Sequence, residues 1–303
     1  MNPHRRPRHD AELLLVVLFW AFNISVLKVC FVHVTPLAFN AVRFAGAAVV
    51  LLALTRWMEG TIRIARADMG RILLLSFVGH TAYQVLFVVG LDRIPASTAA
   101  IIFGASPIVT GLLSWLLSHE KIGVEGGAGA LLAFAGVGLV TGGGRGAEDA
   151  APLVERLTGS AMVFGAVICW AVYTVMSRDL LTRYSPLRVT AVTLTIGAGP
   201  LIAVAARDLV AQDWRSVPAV TWGGLVYSML FALVASYILW YRSVRDVGNL
   251  RTAIYSNLVP VFGALFGVMI LGEKVTIGLL GGGLCIFTGI LLTRMRRRRA
   301  VAP

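Results

Sequence analysis

The sequence predicts an all-α polytopic membrane protein: ten transmembrane helices in two five-helix repeats of inverted topology, with both termini inside. Three observations carry this. Apolar runs of about 20 residues follow one another along the chain, the length an α-helix needs to cross a hydrocarbon core. A set of residues recurs at a nearly fixed offset. Lys and Arg crowd into alternate connecting segments.

Composition sets the class first. Of 303 residues, 57% are hydrophobic and 14% charged, with a mean hydropathy of +0.81; a soluble domain carries about 25% charge. The net charge of +12 sits in short clusters between apolar runs. Such clusters fit membrane orientation and argue against a nucleic-acid partner. The runs are continuously apolar rather than alternating, which excludes a β-barrel. Cys30, Cys169 and Cys285 lie in apolar runs without CxxC or metal spacing, as small core residues do. Arg5, Arg6 and Arg8 lead into a run of spanning length without a small-residue cleavage site, so no cleavable signal peptide is expected.

Taken in order, the expected spans are 12–32, 35–55, 70–91, 96–118 and 122–142, then 158–178, 186–206, 218–241, 249–272 and 276–293. With both termini inside, the inner segments hold 19 of the 27 basic residues. The outer loops hold Arg93, Arg145, Arg156, Arg207, Arg215 and Lys274, and Lys28 and Arg43 fall within spans. That asymmetry orients the chain.

The repeat is visible residue by residue. Trp20, Lys28 and Pro36-Leu37 return 150 residues later as Trp170, Arg178 and Pro186-Leu187. Pro107 and Glu120-Lys121 return 153 residues later as Pro260 and Glu273-Lys274. An odd number of spans per copy inverts the second copy, and internal duplication in a membrane protein points first to a transporter. The expected units are 12–142, an outer linker 143–157 rich in Gly and mixed charge, 158–293, and a basic tail 294–303.

Trp20, Lys28, Pro36-Leu37 and Arg43, followed by IPASTAAIIFGASPIVTGLLSWLLSHEKI and GAGALLAFAGVGLV, resemble an EamA domain. The second half repeats the pattern in NLRTAIYSNLVPVFGALFGVMILGEKVTIGLLGGGLCIFTGILL. The resemblance, to the ten-helix branch of the drug/metabolite transporter superfamily, covers about residues 12–293. It implies two inverted EamA repeats in a bacterial inner membrane and export of amino acids or other small metabolites, with YddG-type aromatic amino-acid exporters as the comparison drawn. Plant and Golgi relatives move sugar phosphates and nucleotide sugars. Half-size multidrug relatives use a glutamate in their first helix; here that helix carries Asn23 and Lys28, which disfavours a proton-coupled cation exporter of that kind.

Several residues are candidates for the transport path. His80, Tyr83, Gln84 and Phe87 share one face of an ideal helix. Burying His and Gln unpartnered in hydrocarbon is costly, so this face is expected to line a cavity rather than only bond neighbouring helices. Tyr237 and Trp240, with Ser236 and Tyr241, are the counterpart in the eighth span. Trp20, Asn23, Trp170, Tyr173, Tyr255 and Asn257 complete an apolar, aromatic pocket with scattered hydrogen-bonding groups. Such a pocket suits an aromatic or branched amino acid. Pro107 and Pro260 are expected as bends with hinge potential, freeing the carbonyls of Phe103 and Ser256. Lys28 either reaches the outer interface or attracts a substrate carboxylate; Arg43 is read as neutralising carbonyls or pairing with a partner helix. Glu120-Lys121 and Glu273-Lys274 are read as interface anchors at helix ends. Small residues in the fifth and tenth spans license close packing, within one chain or in a dimer, so a monomer or homodimer is expected.

No Ser-His-Asp set, HExxH or Asp-rich motif occurs, so no enzyme, metal or cofactor is expected. Gly142-Gly143-Gly144 lacks the Lys-Ser/Thr of a phosphate-binding loop. Export of nucleosides, sugar derivatives or cationic compounds, or a channel or scaffold role, are the alternatives. Without a midplane acid, gradient-driven export is expected, with His80 in substrate binding rather than proton coupling.

Overall fold

The computed structural model describes residues 6–118, 124–142, 152–247 and 255–299, and every regular element in them is helical. The first half holds α1 (Arg6–Phe31), α2 (Pro36–Glu59), α3 (Met69–Ser76), α4 (Tyr83–Arg93), α5 (Ala96–Phe103), α6 (Ser106–Ser118) and α7 (Val124–Gly142). The second holds α8 (Leu153–Met176), α9 (Arg178–Leu181), α10 (Pro186–Val204), α11 (Ala206–Ala211), α12 (Ala219–Tyr227), α13 (Ser236–Val247), α14 (Val259–Leu271) and α15 (Ile277–Arg299). Seven helical stretches are long and apolar enough to cross a membrane. Three shorter apolar helices, Gly127–Gly142, Ser256–Leu271 and Ile277–Leu292, fall where the fifth, ninth and tenth spans are expected.

The repeated Pro-Leu marks have a local cause. Thr35 Oγ1 accepts from the Ala38 amide at 3.4 Å, and Ser185 Oγ from the Arg188 amide at 3.1 Å. Pro36 and Pro186 then occupy the first helical turn, where a missing N–H costs nothing. At its other end α2 stops on Gly60, in the left-handed region at φ 70°, as a glycine C-cap does.

Two runs expected as single helices are interrupted. α3 passes into α4 through a π-helical segment, Phe77–Ala82, and α12 into α13 through another, Ser228–Ala235. A π turn holds one more residue than an α turn and recurs at functional sites. The fourth run is not one bent helix: it breaks at Gly104-Ala105, and Pro107 lies in the first turn of the new helix α6. Pro260 likewise opens α14, after the 3₁₀ turn Ser256–Leu258. In both places the ring ends one ladder and starts another, because proline can neither donate to nor clear the carbonyl four residues back. The start of the expected span 249–272 and the pair Glu120-Lys121 lie outside the described residues.

Packing follows the small residues. α7 lies against α15, with Gly136 facing the Gly282 carbonyl, and the Gly289 face of α15 meets the backbone of α7 at Gly129. α4 crosses α8 where Gly90 meets Gly159, and α14 crosses α5 where Gly263 meets Ala100. Gly136, Gly282 and Gly289 thus pack within the chain, whereas Gly127 and Gly281 face open space. Large apolar side chains such as Leu131, Val49, Met269, Leu280 and Leu284 remain exposed outside the core, as lipid-facing residues do.

Polar contacts tie segments 59–71 and 179–188 together. Arg188 bonds Glu59 through Nε and Nη2 at 3.0 and 2.9 Å, and Ser185 donates to the same carboxylate. Asp68 takes Arg183 at 2.6 Å and the Tyr184 hydroxyl at 2.7 Å, and Arg71 pairs with Asp179 at 2.8 Å. The exposed Arg71 pair is worth at most about 1 kcal/mol; the half-buried Glu59 cluster holds the two segments more firmly.

Candidate functional site

Arg43 is the largest fully buried side chain in the molecule's described part, 1% exposed. It rises from α2 among hydrogen-bonding groups from three other helical segments. Its Nη1 donates to Ser228 Oγ at 2.8 Å, and its Nη2 to Asn40 Oδ1 at 2.6 Å and Gln84 Oε1 at 3.0 Å. Ser228 in turn donates to Asn23 Oδ1 on α1 at 2.5 Å. The guanidinium lies 5.3 Å from the centroid of the Phe44 ring, within cation–π range. No carboxylate of the described residues is paired with it. Its Nε and the Asn40 Nδ2 are buried without hydrogen-bond partners.

An aromatic wall starts beside this cluster. The His80 ring lies 6.3 Å from Phe44 and 5.2 Å from Tyr173. Tyr173 stacks on Trp170 at 5.7 Å; Trp170 meets Tyr83 at 5.6 Å, and Tyr83 stacks on Phe87 at 6.1 Å. Phe103 closes the row edge-on against Tyr83 and Phe87. Centroid separations of 4.5–7 Å with offset or edge geometry are what ring quadrupoles favour. Tyr83 and Trp170 remain half-buried.

The stripe expected on one helical face therefore divides. His80 sits inside the π segment and turns toward α10, where its Nε2 is 3.0 Å from Thr193 Oγ1, itself 3.3 Å from the Tyr173 hydroxyl. Gln84 turns to Arg43, while Tyr83 and Phe87 face Trp170 and Phe103. The wide turn at 77–82 breaks the 100° step between His80 and the rest; Tyr83, Gln84 and Phe87 all lie in α4 beyond it, where Gln84 is one 100° step from Tyr83 and so meets a different neighbour. Gly197 permits the approach of α10: a Cβ there would lie 2.6 Å from the Ser76 carbonyl and 2.7 Å from His80 Cβ. Thr81 fixes the same contact by donating to the Gly197 carbonyl at 2.8 Å.

The remaining candidates are spread over the second half's contacts with α1. Trp20 Nε1 donates to the Ala232 carbonyl at 3.0 Å, and the Trp20 ring lies 5.1 Å from Trp240. That carbonyl belongs to the second π segment, where wide turns loosen the ladder. Tyr237 is buried in the apolar cluster that also holds Ala47 and against which Trp20 packs. Tyr255 and Asn257 lie half-buried at the turn before Pro260.

Lys28 is found elsewhere, beside an open cleft of about 480 Å³ lined by Phe31, Val32, Asp92, Leu271 and Glu273. Its Nζ donates to the Asp92 carbonyl at 3.0 Å. Glu273 does more than anchor a helix end. Its two oxygens accept from the Ala96 amide at 2.6 Å and the Ser97 amide at 2.8 Å, a carboxylate seated on the N-terminus of α5. The chain's own cap position there is Pro95, which has no side-chain acceptor, so the acceptor comes from 177 residues away. Gly267 leaves the space: a Cβ would meet Glu273 Oε2 at 2.7 Å. The sequence alone reads Glu273 as an interface anchor; only the missing side-chain cap at Pro95 signals that it belongs with α5. No cluster of His, Cys, Asp or Glu among the described residues is arranged to hold a metal.

Comparison with known proteins adds the family. The profile described as EamA-like transporter family matches residues 11–142 and 157–295. The "Uncharacterized transporter YyaM" of Bacillus subtilis is 26% identical, over 92% of this chain and 91% of its own length. An "S-adenosylmethionine/S-adenosylhomocysteine transporter" of Chlamydia trachomatis is 27% identical, over 91% of this chain and 86% of its own. A "Probable terminal-alkyne amino-acid exporter" of Streptantibioticus cattleyicolor is 26% identical, over 96% of both. A solved crystal structure, 18% identical, superposes with a TM-score of 0.68 over 98% of this chain and 99% of its own, a likeness of fold.

Proposed function

Because this chain belongs to the EamA-like transporter family and is a multi-pass membrane protein, we propose that it exports small amphipathic metabolites as a secondary transporter. Amino acids with aromatic or other hydrophobic side chains are the cargo favoured. The observation that carries this reading is the row from His80 through Tyr173, Trp170 and Tyr83 to Phe87, set beside a buried polar cluster. A flat apolar side chain matches the row, and a polar head group matches the cluster. Two relatives are named for cargo of this kind, a terminal-alkyne amino acid and S-adenosylmethionine, itself an amino acid.

The working architecture has ten crossings, three of them made by the shorter helices, with both termini in the cytoplasm of a bacterial cell and the protein in its inner membrane. Two inverted repeats, 12–142 and 158–293, are joined by the outer linker 143–157. Contact symmetry supports the duplication: α4 packs on α8 as α13 packs on α1, and α10 meets the first π segment as α2 meets the second. Profile matches that restart at 157 support the same division. Alternating access follows as one repeat rocks on the other, with the breaks at Pro107 and Pro260 as hinges and a monomer or homodimer as the transporting unit.

Purified protein in liposomes tests the reading. Uptake of labelled Phe, Tyr, Trp, Leu and Thr should saturate, with the aromatic substrates preferred. Protein that is folded yet moves none of them, but moves nucleosides or sugar derivatives, would put the cargo in another class.

A further inference from the structure

We propose that Arg43 is the specificity-determining group that takes the substrate's carboxylate, so that the protein carries carboxylate-bearing solutes and rejects their uncharged or cationic analogues. The inference rests on the transporter reading above and adds to it the group that selects cargo.

A guanidinium taken out of water with no counter-ion is costly, by several kcal/mol. Arg43 has only neutral acceptors, Asn40, Gln84 and Ser228. These satisfy two of its nitrogens and neutralise none of its charge. Arg43 Nε and Asn40 Nδ2 are left as buried donors without acceptors. The cluster is thus rich in donors and short of one anion, and a carboxylate, with two acceptor oxygens, supplies what it lacks. A purely structural arginine at this depth is expected to come with an acid.

Two further features point the same way. The partners of Arg43 come from both halves of the chain: Asn40 and Gln84 from the first, and from the start of the second π segment Ser228, which in turn donates to Asn23 of the first half. Movement between the halves therefore changes the number of acceptors around the guanidinium. The aromatic row begins at the same place, since Phe44 contacts both the Arg43 guanidinium and the His80 ring. A carboxylate at Arg43 leaves the apolar part of an amino acid along Tyr173, Trp170 and Tyr83.

Counterflow of labelled L-phenylalanine in proteoliposomes tests this, with unlabelled L-phenylalanine and L-phenylalaninamide as competitors. In the wild type the amide should compete about 10- to 100-fold more weakly than the acid, the loss expected for a charge-assisted hydrogen-bonded pair. Arg43→Gln should abolish that discrimination. Since this variant removes a buried cluster's centre and risks misfolding, Asn40→Asp is the second arm. It places a near-isosteric carboxylate beside the guanidinium, so it should raise the detergent melting temperature while lowering phenylalanine affinity by a similar factor. Equal competition by acid and amide in the wild type, or Asn40→Asp that melts higher with phenylalanine affinity unchanged, overturns the inference and leaves the transporter reading intact. Absence of saturable transport of any amino acid by the wild type removes that reading and the inference with it.

Discussion

Glu273 illustrates how one side chain fixes two distant segments. Its carboxylate supplies the acceptor that Pro95 lacks for the first amides of α5. Glu273→Ala strands both amides and should cost about 1–2 kcal/mol, read as a lower melting temperature in detergent. Glu273→Gln keeps one acceptor and should fall between; wild-type melting in both variants would contradict the capping role. His80 makes a different kind of statement. It is 2% exposed and bonded to Thr193, at the junction of Phe44 and Tyr173. His80→Ala should weaken substrate affinity several-fold while leaving exchange indifferent to an imposed pH gradient, measured as initial flux with and without the gradient. A strict gradient requirement lost in the variant would show instead that the imidazole carries protons. The sequence alone assigns Arg43 to neutralising carbonyls or pairing with a partner helix. Asn40, one turn away, was within reach of that reading, but Gln84 and Ser228 lie 41 and 185 residues along the chain, and nothing local announces them.

At the scale of the element, α10 separates close packing from mere helix composition. Gly197 faces the Ser76 carbonyl and His80, whereas Gly199 has open space beyond it. Gly197→Ala must push backbone and should destabilise by about 1–3 kcal/mol; Gly199→Ala should be neutral or stabilise by up to about 1 kcal/mol. Equal melting of the two variants would remove the contact from the account. Helix existence and the Pro-Leu starts were legible because apolar length and capping are local properties. The π segments were not, since hydropathy is indifferent to one extra residue in a turn. That feature also turned His80 away from the Tyr83–Phe87 part of the stripe. Pro107 and Pro260 were legible as disturbances, but whether a proline bends a helix or begins one depends on what the preceding residues can pack against.

The whole molecule is a multi-pass membrane protein matched twice by one family model, over residues 11–142 and 157–295. If both termini are cytoplasmic, segments 56–71 and 143–157 lie on opposite sides. In a background without Cys30, Cys169 and Cys285, Arg145→Cys should react with an impermeant thiol reagent on intact cells, and Thr61→Cys only after permeabilisation; the reverse pattern would invert the topology. A carrier built on the aromatic row and the polar cluster beside it must exchange its substrate across the membrane. Counterflow tests it most directly. Proteoliposomes loaded with unlabelled L-phenylalanine and diluted into trace labelled L-phenylalanine should accumulate label in a transient overshoot, saturable by external substrate. Label that enters at the same rate with or without internal substrate, and without saturation, would contradict a carrier and describe a pore.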